Sequence, residues 1–452
     1  MAQRLNLSVD LGKRPSGGAG SNADSQRLKF ILLGCFSGSR GTQPGIHRVD
    51  LDNFDRLLSQ IQPTLQIQMS DQGAPVHLNF TSLDDFHPDH LHHQLPKQLA
   101  ASIEPDATTP QADTATDGHQ ESDQQTLSRL LGKGSMTASS INDGGSKANR
   151  TLVESVVGRL IDSSLKQQES DYSVPQSDAS AAQSRRLKQV IHHADFQSLE
   201  SNWRGLDWLV RSLESDQLNE IFICDLPQDA WPGFAQSELE FKQSDCYRSL
   251  LDRFSDTGSS EQKFILIVDK YFNSSTEDMN LLKSLSALAE TLRSQLITGT
   301  SDQFTSRFET DPETLNKWRL LQQSDIATNT SLVLPRLLMR LPYGARYDPV
   351  ESFPFEELDS EWSSEELLWG NPAFALAIQL AADNQSDQPQ DAAALADCPA
   401  FAYSKNGESH LQPCTKSLFN DKQLENLIEL GLIPIVGSRR SPQIRIPWYR
   451  KV

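Results

Sequence analysis

Apolar and polar positions in the first hundred residues follow two different periods. A short apolar run over 28–33 has the length of a buried strand, and a glycine-rich turn follows it. Apolar side chains then recur at helical spacing over 54–61, and Pro63 ends that helix. The segments 65–69 and 76–80 each alternate with period two, so they predict two half-buried strands paired as a hairpin.

From residue 183 onward, strand-like and helix-like segments alternate along the chain. An apolar stripe over 203–213 predicts a helix, and short apolar runs over 220–224 and 264–268 predict buried strands. Strand, helix, strand and helix in succession indicate a layered sheet with flanking helices. The sequence therefore predicts an α/β (α+β) fold for this part of the chain.

Two further helices are marked by the residues that begin them. Ser275 with Asp278 resembles a capping box, and the leucines that follow predict one long amphipathic helix through Leu296. Asn371 precedes Pro372, which is a cap residue followed by the residue best tolerated in a first helical turn. A helix is therefore predicted to begin there and to run to residue 380.

The middle of the chain is polar and predicts a linker. Residues 102–150 are mostly Asp, Gln, Ser, Thr, Ala and Gly, which bury too little apolar surface to offset chain entropy. An amphipathic helix is predicted over 152–161, and a second polar stretch follows over 167–182. These patterns predict four sections: an N-terminal domain 1–98, a disordered linker 99–150, an amphipathic helix with a second linker 151–182, and a C-terminal domain 183–452.

Charge and composition narrow the class of protein. The 452 residues carry a formal net charge of -19, which disfavours binding to nucleic acids and to the anionic surface of a membrane, and we expect neither a nucleic acid partner nor membrane insertion. The exception is a basic stretch over 439–451, which suits an acidic surface. No run of about 20 apolar residues and no signal-peptide core is present, so we expect a cytoplasmic protein. Five scattered cysteines without a CxxC pair indicate reduced thiols.

The sequence contains no strong motif for catalysis, phosphate binding or metal binding. The glycine-rich segment 34–41 lacks the Gly-Lys-Ser/Thr ending of a phosphate-binding loop. His87, His90 and His93 with a nearby aspartate suit a metal site, but a helix cap and turn explain them better. The acidic run 351–366 is interpreted as a solvated loop, with catalytic carboxylates as the alternative. No catalytic residue, cofactor or metal ligand is predicted, and a metal-dependent enzyme remains the alternative from another class.

Three strings near the N-terminus resemble a known family. The segments 9–14, 49–61 and 78–96 are similar to the small sheath subunit of type VI secretion systems. The third string, Leu-Asn-Phe-Thr-Ser-Leu-Asp-Asp-Phe-His-Pro-Asp from residue 78, is the most specific. It makes His87 part of a family turn.

The second half of the chain resembles the large sheath subunit of the same systems. The matching strings follow one another in the order that the family has. They are 191–197, 199–206, 334–344, 353–357 and 368–375. Together the two resemblances imply a small subunit fused to a large subunit.

The resemblance implies a non-catalytic function. Such sheaths surround an inner tube and contract to drive it out of the cell, so partners would be other sheath subunits, the inner tube, the baseplate and a recycling AAA+ unfoldase. We expect the C-terminal extension of the large subunit to be lacking after the string 430–434. The alternative that follows is a sheath or baseplate adaptor that does not polymerise.

Nine residues within these strings are predicted to be structural or interface residues. Two tryptophans are anchor candidates, three arginines are ion-pair candidates, one asparagine begins a helix, and three residues come from the most specific string. They are Trp203, Trp369, Arg204, Arg336, Arg340, Asn371, Asp85, Phe86 and His87.

Overall fold

The computed structural model describes two stretches of the chain in detail. The N-terminal segment comprises residues 28–41, 45–69 and 75–95. The C-terminal segment comprises 178–213, 219–255, 263–324, 326–385, 395, 398–405 and 407–447. Both segments belong to the same compact unit. The predicted linker 99–150 and the predicted helix 152–161 lie outside the described residues.

Fifteen strands are found in the described residues, and most of them are short. They are β1 Leu28–Gly34, β2 Ile46–Val49, β3 Thr64–Ile67, β4 Val76–Asn79, β5 Glu220–Asp225, β6 Lys263–Phe272, β7 Ser294–Thr300, β8 Thr330–Leu334, β9 Leu337–Leu338, β10 Trp369–Gly370, β11 Phe401–Lys405, β12 Glu408–Gln412, β13 Leu432–Pro434, β14 Val436–Gly437 and β15 Ile444–Arg445.

The helices of the described residues pack on both faces of the main sheet. They are α1 Phe54–Ile61, α2 Pro88–Gln94, α3 Asp178–Ile191, α4 Ala194–Leu213, α5 Ala230–Gln236, α6 Glu238–Gln243, α7 Asp245–Phe254, α8 Thr276–Thr291, α9 Ser306–Thr310, α10 Pro312–Gln322, α11 Ile326–Asn329, α12 Ala373–Gln385 and α13 Asp421–Glu429. Two 3₁₀ helices cover Leu83–Phe86 and Ser364–Glu366. Among the described residues, no helix has the length and apolar character needed to cross a membrane.

The main sheet has seven strands in the order β13-β8-β7-β6-β1-β5-β2. All neighbouring pairs are parallel except β2 with β5. Strand β1, from the N-terminal segment, therefore lies between β5 and β6 of the C-terminal segment, with Phe30 opposite both Ile221 and Ile265. The sheet is complete only when both segments contribute to it.

Strand β1 contributes to the hydrophobic cores on both sides of the sheet. Phe30 and Leu32 point into one core, while Ile31 and Leu33 point into the other. All four side chains are fully buried. A strand buried on both faces is a continuous apolar run, because both of its faces are covered by helices. This explains why 28–33 lacks the alternation seen in the predicted hairpin.

The N-terminal predictions for 54–61 and for the hairpin are confirmed. Helix α1 buries Phe54, Leu57, Leu58 and Ile61, and strands β3 and β4 pair antiparallel. The turn of the hairpin lies outside the described residues. The apolar side chains of α1, β3 and β4 lie in the same hydrophobic core as those of α4 and α12.

The prediction of one helix through Leu296 is wrong. Helix α8 ends at Thr291, and Leu296 lies in strand β7. Arg293 adopts a left-handed backbone with φ of 51°, which breaks the helix before the next strand. The apolar spacing continued by coincidence across a turn, so periodicity alone did not locate the boundary.

Only one of the two hydrogen bonds of the predicted capping box forms at the start of α8. Ser275 Oγ accepts a hydrogen bond from Asp278 N at 3.1 Å, as predicted. The Asp278 carboxylate instead accepts from Asn273 N at 2.8 Å. In the C-terminal segment, α3 begins at Asp178, inside the stretch 167–182 that the sequence predicts to be polar linker. The predicted domain division stays a prediction.

Candidate functional site: the junction of the two segments

Trp203, in α4, is fully buried and contacts the N-terminal segment directly. Its indole Nε1 donates a 3.0 Å hydrogen bond to Phe36 O, and its ring meets Phe36 and Phe54 edge to face. Asn202 Nδ2 donates a 3.1 Å hydrogen bond to Cys35 O. Because buried carbonyl groups need donors, α4 satisfies the backbone at the carboxyl end of β1.

Charged side chains of α4 form a buried network with the segment 340–357. Arg340 donates from Nε to Glu200 Oε1 at 2.8 Å, and its two terminal nitrogens donate to Glu357 at 2.7 and 3.0 Å. Arg204 Nε also donates to Glu200 Oε1 at 2.8 Å. The Arg340 guanidinium lies 3.9 Å from the centre of the Tyr343 ring. We call these five residues, Glu200, Arg204, Arg340, Tyr343 and Glu357, the junction network.

Burial makes the pairing in this network obligatory. The side chains of Glu200 and Glu357 are 0% and 1% exposed, and that of Arg340 is 6% exposed. Burial alone would raise the pKa of Glu357, but Arg340 and the hydrogen bond from Tyr343 N lower it to about 2. Glu357 therefore stays ionised, and its charge is balanced within the fold.

Tyr343 extends the junction network to the N-terminal segment. Its hydroxyl lies 3.2 Å from Glu200 Oε1 and 3.5 Å from Phe86 O. Phe86 is fully buried and stacks on Phe80 with ring centres 4.1 Å apart. The Tyr343 ring also meets the His87 ring edge to face at 4.9 Å. The most specific N-terminal string, 78–96, therefore contacts the C-terminal string 334–344.

His87 acts as a helix cap, as the sequence predicts. Its Nδ1 accepts a hydrogen bond from Asp89 N at 3.2 Å, which caps the start of α2. Asp85 holds the turn before it, since Asp85 Oδ2 accepts from Thr81 N at 2.6 Å and from Ser82 N at 3.0 Å. Among the described residues, no group of three or more His, Cys, Asp or Glu side chains is arranged to hold a metal ion.

Asp89 adds a polar contact between the segments. Its carboxylate accepts from Ser352 N at 2.8 Å and from Glu351 N at 3.1 Å. Burial acts to raise the pKa of Asp89, but the hydrogen bonds from Ser352 and Glu351 lower it to about 2. The N-terminal segment thus fixes the start of the acidic run 351–366.

The other three predicted residues lie at the carboxyl edge of the sheet. Arg336 pairs with Asp302, and its guanidinium lies 5.3 Å from the centre of the Tyr271 ring. Trp369 is 5% exposed and its Nε1 donates to Ser364 O at 2.6 Å. The hydrogen bonds and the ring contact named here join Arg336 and Trp369 to other residues of the C-terminal segment.

Asn371 is buried and performs two tasks at that edge. Its Oδ1 accepts from Ala373 N at 3.0 Å, which caps α12 as predicted. Its Nδ2 donates to Asp269 Oδ1 at 3.1 Å. Burial raises the pKa of Asp269 to about 6, while hydrogen bonds from Asn371 and Asn202 oppose that rise.

Sequence reasoning singled out Arg204 and Arg340 but missed the other three residues of the junction network, Glu200, Tyr343 and Glu357. The interpretation of 351–366 as a solvated loop is wrong for Glu357, because the carboxylate is buried against Arg340. Glu200 was not singled out, although it lies between the buried residues Leu199 and Trp203 on the apolar face of α4. A charge on a buried helical stripe must be paired, and that rule could have identified it.

The fold and the junction define an α/β protein whose central sheet is shared by two sequence segments. The chain belongs to the VipB family, the EvpB tail sheath N-terminal domain, whose model matches residues 178–446. The model of the type VI secretion system VipA family matches residues 28–104. The resemblance to a small and a large sheath subunit in one polypeptide is therefore confirmed.

A curated relative supports the same family. The chain is similar to the type VI secretion system sheath protein TssC1 of Pseudomonas aeruginosa strain PAO1, with 32% identity over 209 residues. This match covers 42% of the present chain and 41% of the relative. The chain thus spans about two fifths of the length of that relative.

Proposed function

We propose that this chain is a structural component of a type VI secretion contractile sheath, and that it acts in the cytoplasm through subunit interfaces and not by catalysis. One observation carries the proposal. Strand β1, in the segment that matches the VipA family, lies between two strands of the segment that matches the VipB family. Segments from two sheath families therefore complete one folded protomer.

Joining the two segments in one polypeptide has a physical advantage. A tether replaces association between two molecules by docking within one, at an effective concentration of the order of millimolar. The two segments are then always present in equal amounts. We propose that this equal supply favours a uniform building block for the assembly.

The buried and half-buried candidate residues of the junction are proposed to stabilise the protomer itself. Trp203, Arg204 and Arg340 are occupied by contacts inside the fold, and so are Phe86 and His87. We propose that contacts with other sheath subunits, the inner tube, the baseplate and a recycling AAA+ unfoldase use surfaces outside the junction network. This assignment predicts that substitutions there act first on folding.

Electron microscopy and sedimentation of the purified full chain test the proposal. We expect tubes with a regular helical repeat that pellet at high speed. A chain that stays monomeric and does not co-pellet with sheaths would contradict the proposal. Binding only at sheath ends, without tubes, would instead favour an adaptor.

Splitting the chain tests the shared sheet separately from assembly. Residues 1–98 and 178–452 would be co-expressed with an affinity tag on the second fragment only. We expect the two fragments to co-purify in a one-to-one ratio, because β5 and β6 each need β1 as a neighbour. Soluble, cooperatively folded 178–452 without the first fragment would refute the shared sheet.

A further inference from the structure

A cavity of about 420 Å³ lies at the carboxyl ends of β5, β1 and β6, three adjacent strands of the main sheet. Its lining includes Cys35 just after β1, Gln228 after β5, the end of β6 and the first turn of α8. Helices α4 and α5 complete the lining with polar and aromatic side chains. The volume is within the usual range of ligand sites in proteins.

The chain leaves these three strands toward opposite faces of the sheet. After β1, the next helix is α1, which packs in the core that contains Phe30. After β5 and β6, the next helices are α5 and α8, which pack in the core that contains Ile31. In open α/β sheets, a crevice that binds ligands forms outside the carboxyl ends of the strands where the connections diverge in this way. The cavity therefore occupies the place in the sheet where a ligand is expected.

Asp269, in β6, brings a half-buried carboxylate to this cavity with no cation beside it. The strand next to it ends in Gly34, and a Cβ on that residue would lie only 3.0 Å from Asp269 Cβ, so the glycine leaves room for the aspartate. Asn371 Nδ2 donates to Asp269 Oδ1 at 3.1 Å, and Asn202 also donates to the carboxylate. Both asparagines are buried. Within the ranges that the structure describes, only these uncharged amides oppose the cost of burying the charge of Asp269.

The other two carboxylates of the lining lie in the first turn of α8 and differ from each other. Asp278 is balanced, because Lys270 Nζ lies 3.1 Å from its Oδ1 and Asn273 N donates to its Oδ2 at 2.8 Å. Glu277 is exposed, and it forms no ion pair with another residue that the structure describes. A buried charge is normally paired, so Asp269 is the carboxylate for which a cation is missing.

We infer that this cavity binds a small aliphatic diamine, with one ammonium group on Asp269 and the other toward Glu277. An ammonium group supplies the missing charge and three hydrogen-bond donors. Trp231 adds an aromatic ring to the lining, and aromatic rings attract ammonium groups. An organic cation suits the site better than a metal ion, because no three His, Cys, Asp or Glu side chains in the described part of the chain are arranged as metal ligands. The site needs no neighbouring subunit, so its test does not depend on sheath assembly.

Titration calorimetry of the full chain in a low-salt buffer near neutral pH tests this inference, with 1,4-diaminobutane as the ligand. 1,4-Butanediol has the same length but no charge, and it should not bind, because it cannot balance the carboxylate of Asp269. Butylamine keeps one ammonium group. It should bind a few-fold more weakly than the diamine, because Glu277 is exposed and an exposed ion pair contributes little.

Three variants assign the binding to the two carboxylates. Asp269→Asn removes the charge and should weaken diamine binding by about tenfold or more, while the thermal midpoint stays the same or rises, because an unbalanced charge is gone. Glu277→Gln should remove only the advantage of the diamine over butylamine. Glu425→Gln is the matched control, because it makes the same change in net charge at an exposed site outside the lining. It should leave the affinity unchanged, and it measures the general attraction of cations to an acidic protein.

The dependence of binding on pH is a second readout, and it needs no variant. Burial raises the pKa of Asp269 to about 6, and only the ionised carboxylate attracts the diamine. The affinity should therefore fall about tenfold from pH 7 to pH 5, as the ionised fraction does. The other ionisable groups on the surrounding elements are Cys35, Asp225, Lys270, Tyr271, Glu277 and Asp278.

Two results would overturn the inference. One is equal binding of the diamine and the diol to the unaltered chain. The other is an affinity that does not change between pH 7 and pH 5, or that changes equally in a folded Asp269→Asn variant. If that variant does not fold, the comparison of diamine with diol and the pH dependence of the unaltered chain still decide the question.

Discussion

Arg340 and Arg336 belong to the same short string, 334–344, yet they serve networks of different character. Arg340 joins Glu200 and Glu357, whose side chains are 0% and 1% exposed. Arg336 joins Asp302 and Glu365, which are 31% and 72% exposed. Lys416 Nζ also lies 2.7 Å from Asp302, so the acid at the sheet edge has a second cation. The comparison teaches that burial and the number of partners decide what an ion pair contributes.

Arg340→Met should have the largest effect. It leaves two buried carboxylates without their main cation, and breaking a buried pair in this way costs about 3–5 kcal/mol. We expect the free energy of unfolding in urea to fall by that amount. Arg346→Met is the control, since the residue is exposed. If the free energy of unfolding fell by less than about 1 kcal/mol, Arg340 would contribute no more than an ordinary surface ion pair.

Acid should lower the free energy of unfolding by somewhat less than Arg340→Met does. The pKa of Glu357 is about 2 in the fold against an ordinary value of 4.5, so the unfolded chain binds a proton first. The stabilisation is complete above pH 4.5 and is lost as the pH falls towards 2. A shift of this size corresponds to a change of the order of 3 kcal/mol. Urea unfolding at several pH values measures it.

The Glu357→Gln variant sharpens that measurement. It removes the titrating group, so its stability should depend less steeply on pH below 4.5 than that of the unaltered chain. Equal slopes for both proteins would show that Glu357 is not the group responsible.

Arg336→Met should have a moderate effect. Hydrogen bonds from Arg336 and Lys416 lower the pKa of Asp302 against the opposing effect of burial, and Lys416 remains when Arg336 is replaced. Partly exposed pairs contribute about 1 kcal/mol or less. We expect a loss near this limit by urea unfolding. If Arg336→Met cost as much as Arg340→Met, the distinction between the two networks would fail.

Lys188→Met should have the smallest effect. Lys188 Nζ lies 2.5 Å from Asp359 Oδ1, but the side chain of Asp359 is 74% exposed. Exposed pairs of this kind contribute about 0.2–1 kcal/mol. The thermal midpoint should therefore shift by only a few degrees at most, and still less at high salt. A large shift would mean that this contact is shielded from solvent.

Helices and strands were predictable from sequence where the pattern of apolar residues within one segment is sufficient to indicate them. The stripe 203–213 and the hairpin 64–79 follow from side-chain period, and the strand at 28–33 follows from the length of its apolar run. The position of β1 between β5 and β6 was not predictable in this way. Strand order depends on contacts between distant residues, and period carries no information about them.

The candidate site was predictable only in part. Arg340 and Trp203 stood out because of the strings that contain them, and the structure places both at the junction. The partners Glu200 and Glu357 did not, because an acidic residue in sequence gives no sign of burial. Glu357 lies within an acidic run that was interpreted as solvated, and only the fold shows that its side chain is buried.

The place of β1 has a consequence for biosynthesis. In the sheet, Lys29 lies opposite Glu220 of β5 on one side and opposite Phe264 of β6 on the other. Both neighbours come far later in the sequence, so the ribosome makes β1 long before it makes β5 or β6. At about 5–20 residues per second, the ribosome needs roughly 10–40 seconds to deliver β5. During that interval a largely apolar strand emerges without a partner, which makes it a segment that a holdase chaperone could protect from aggregation.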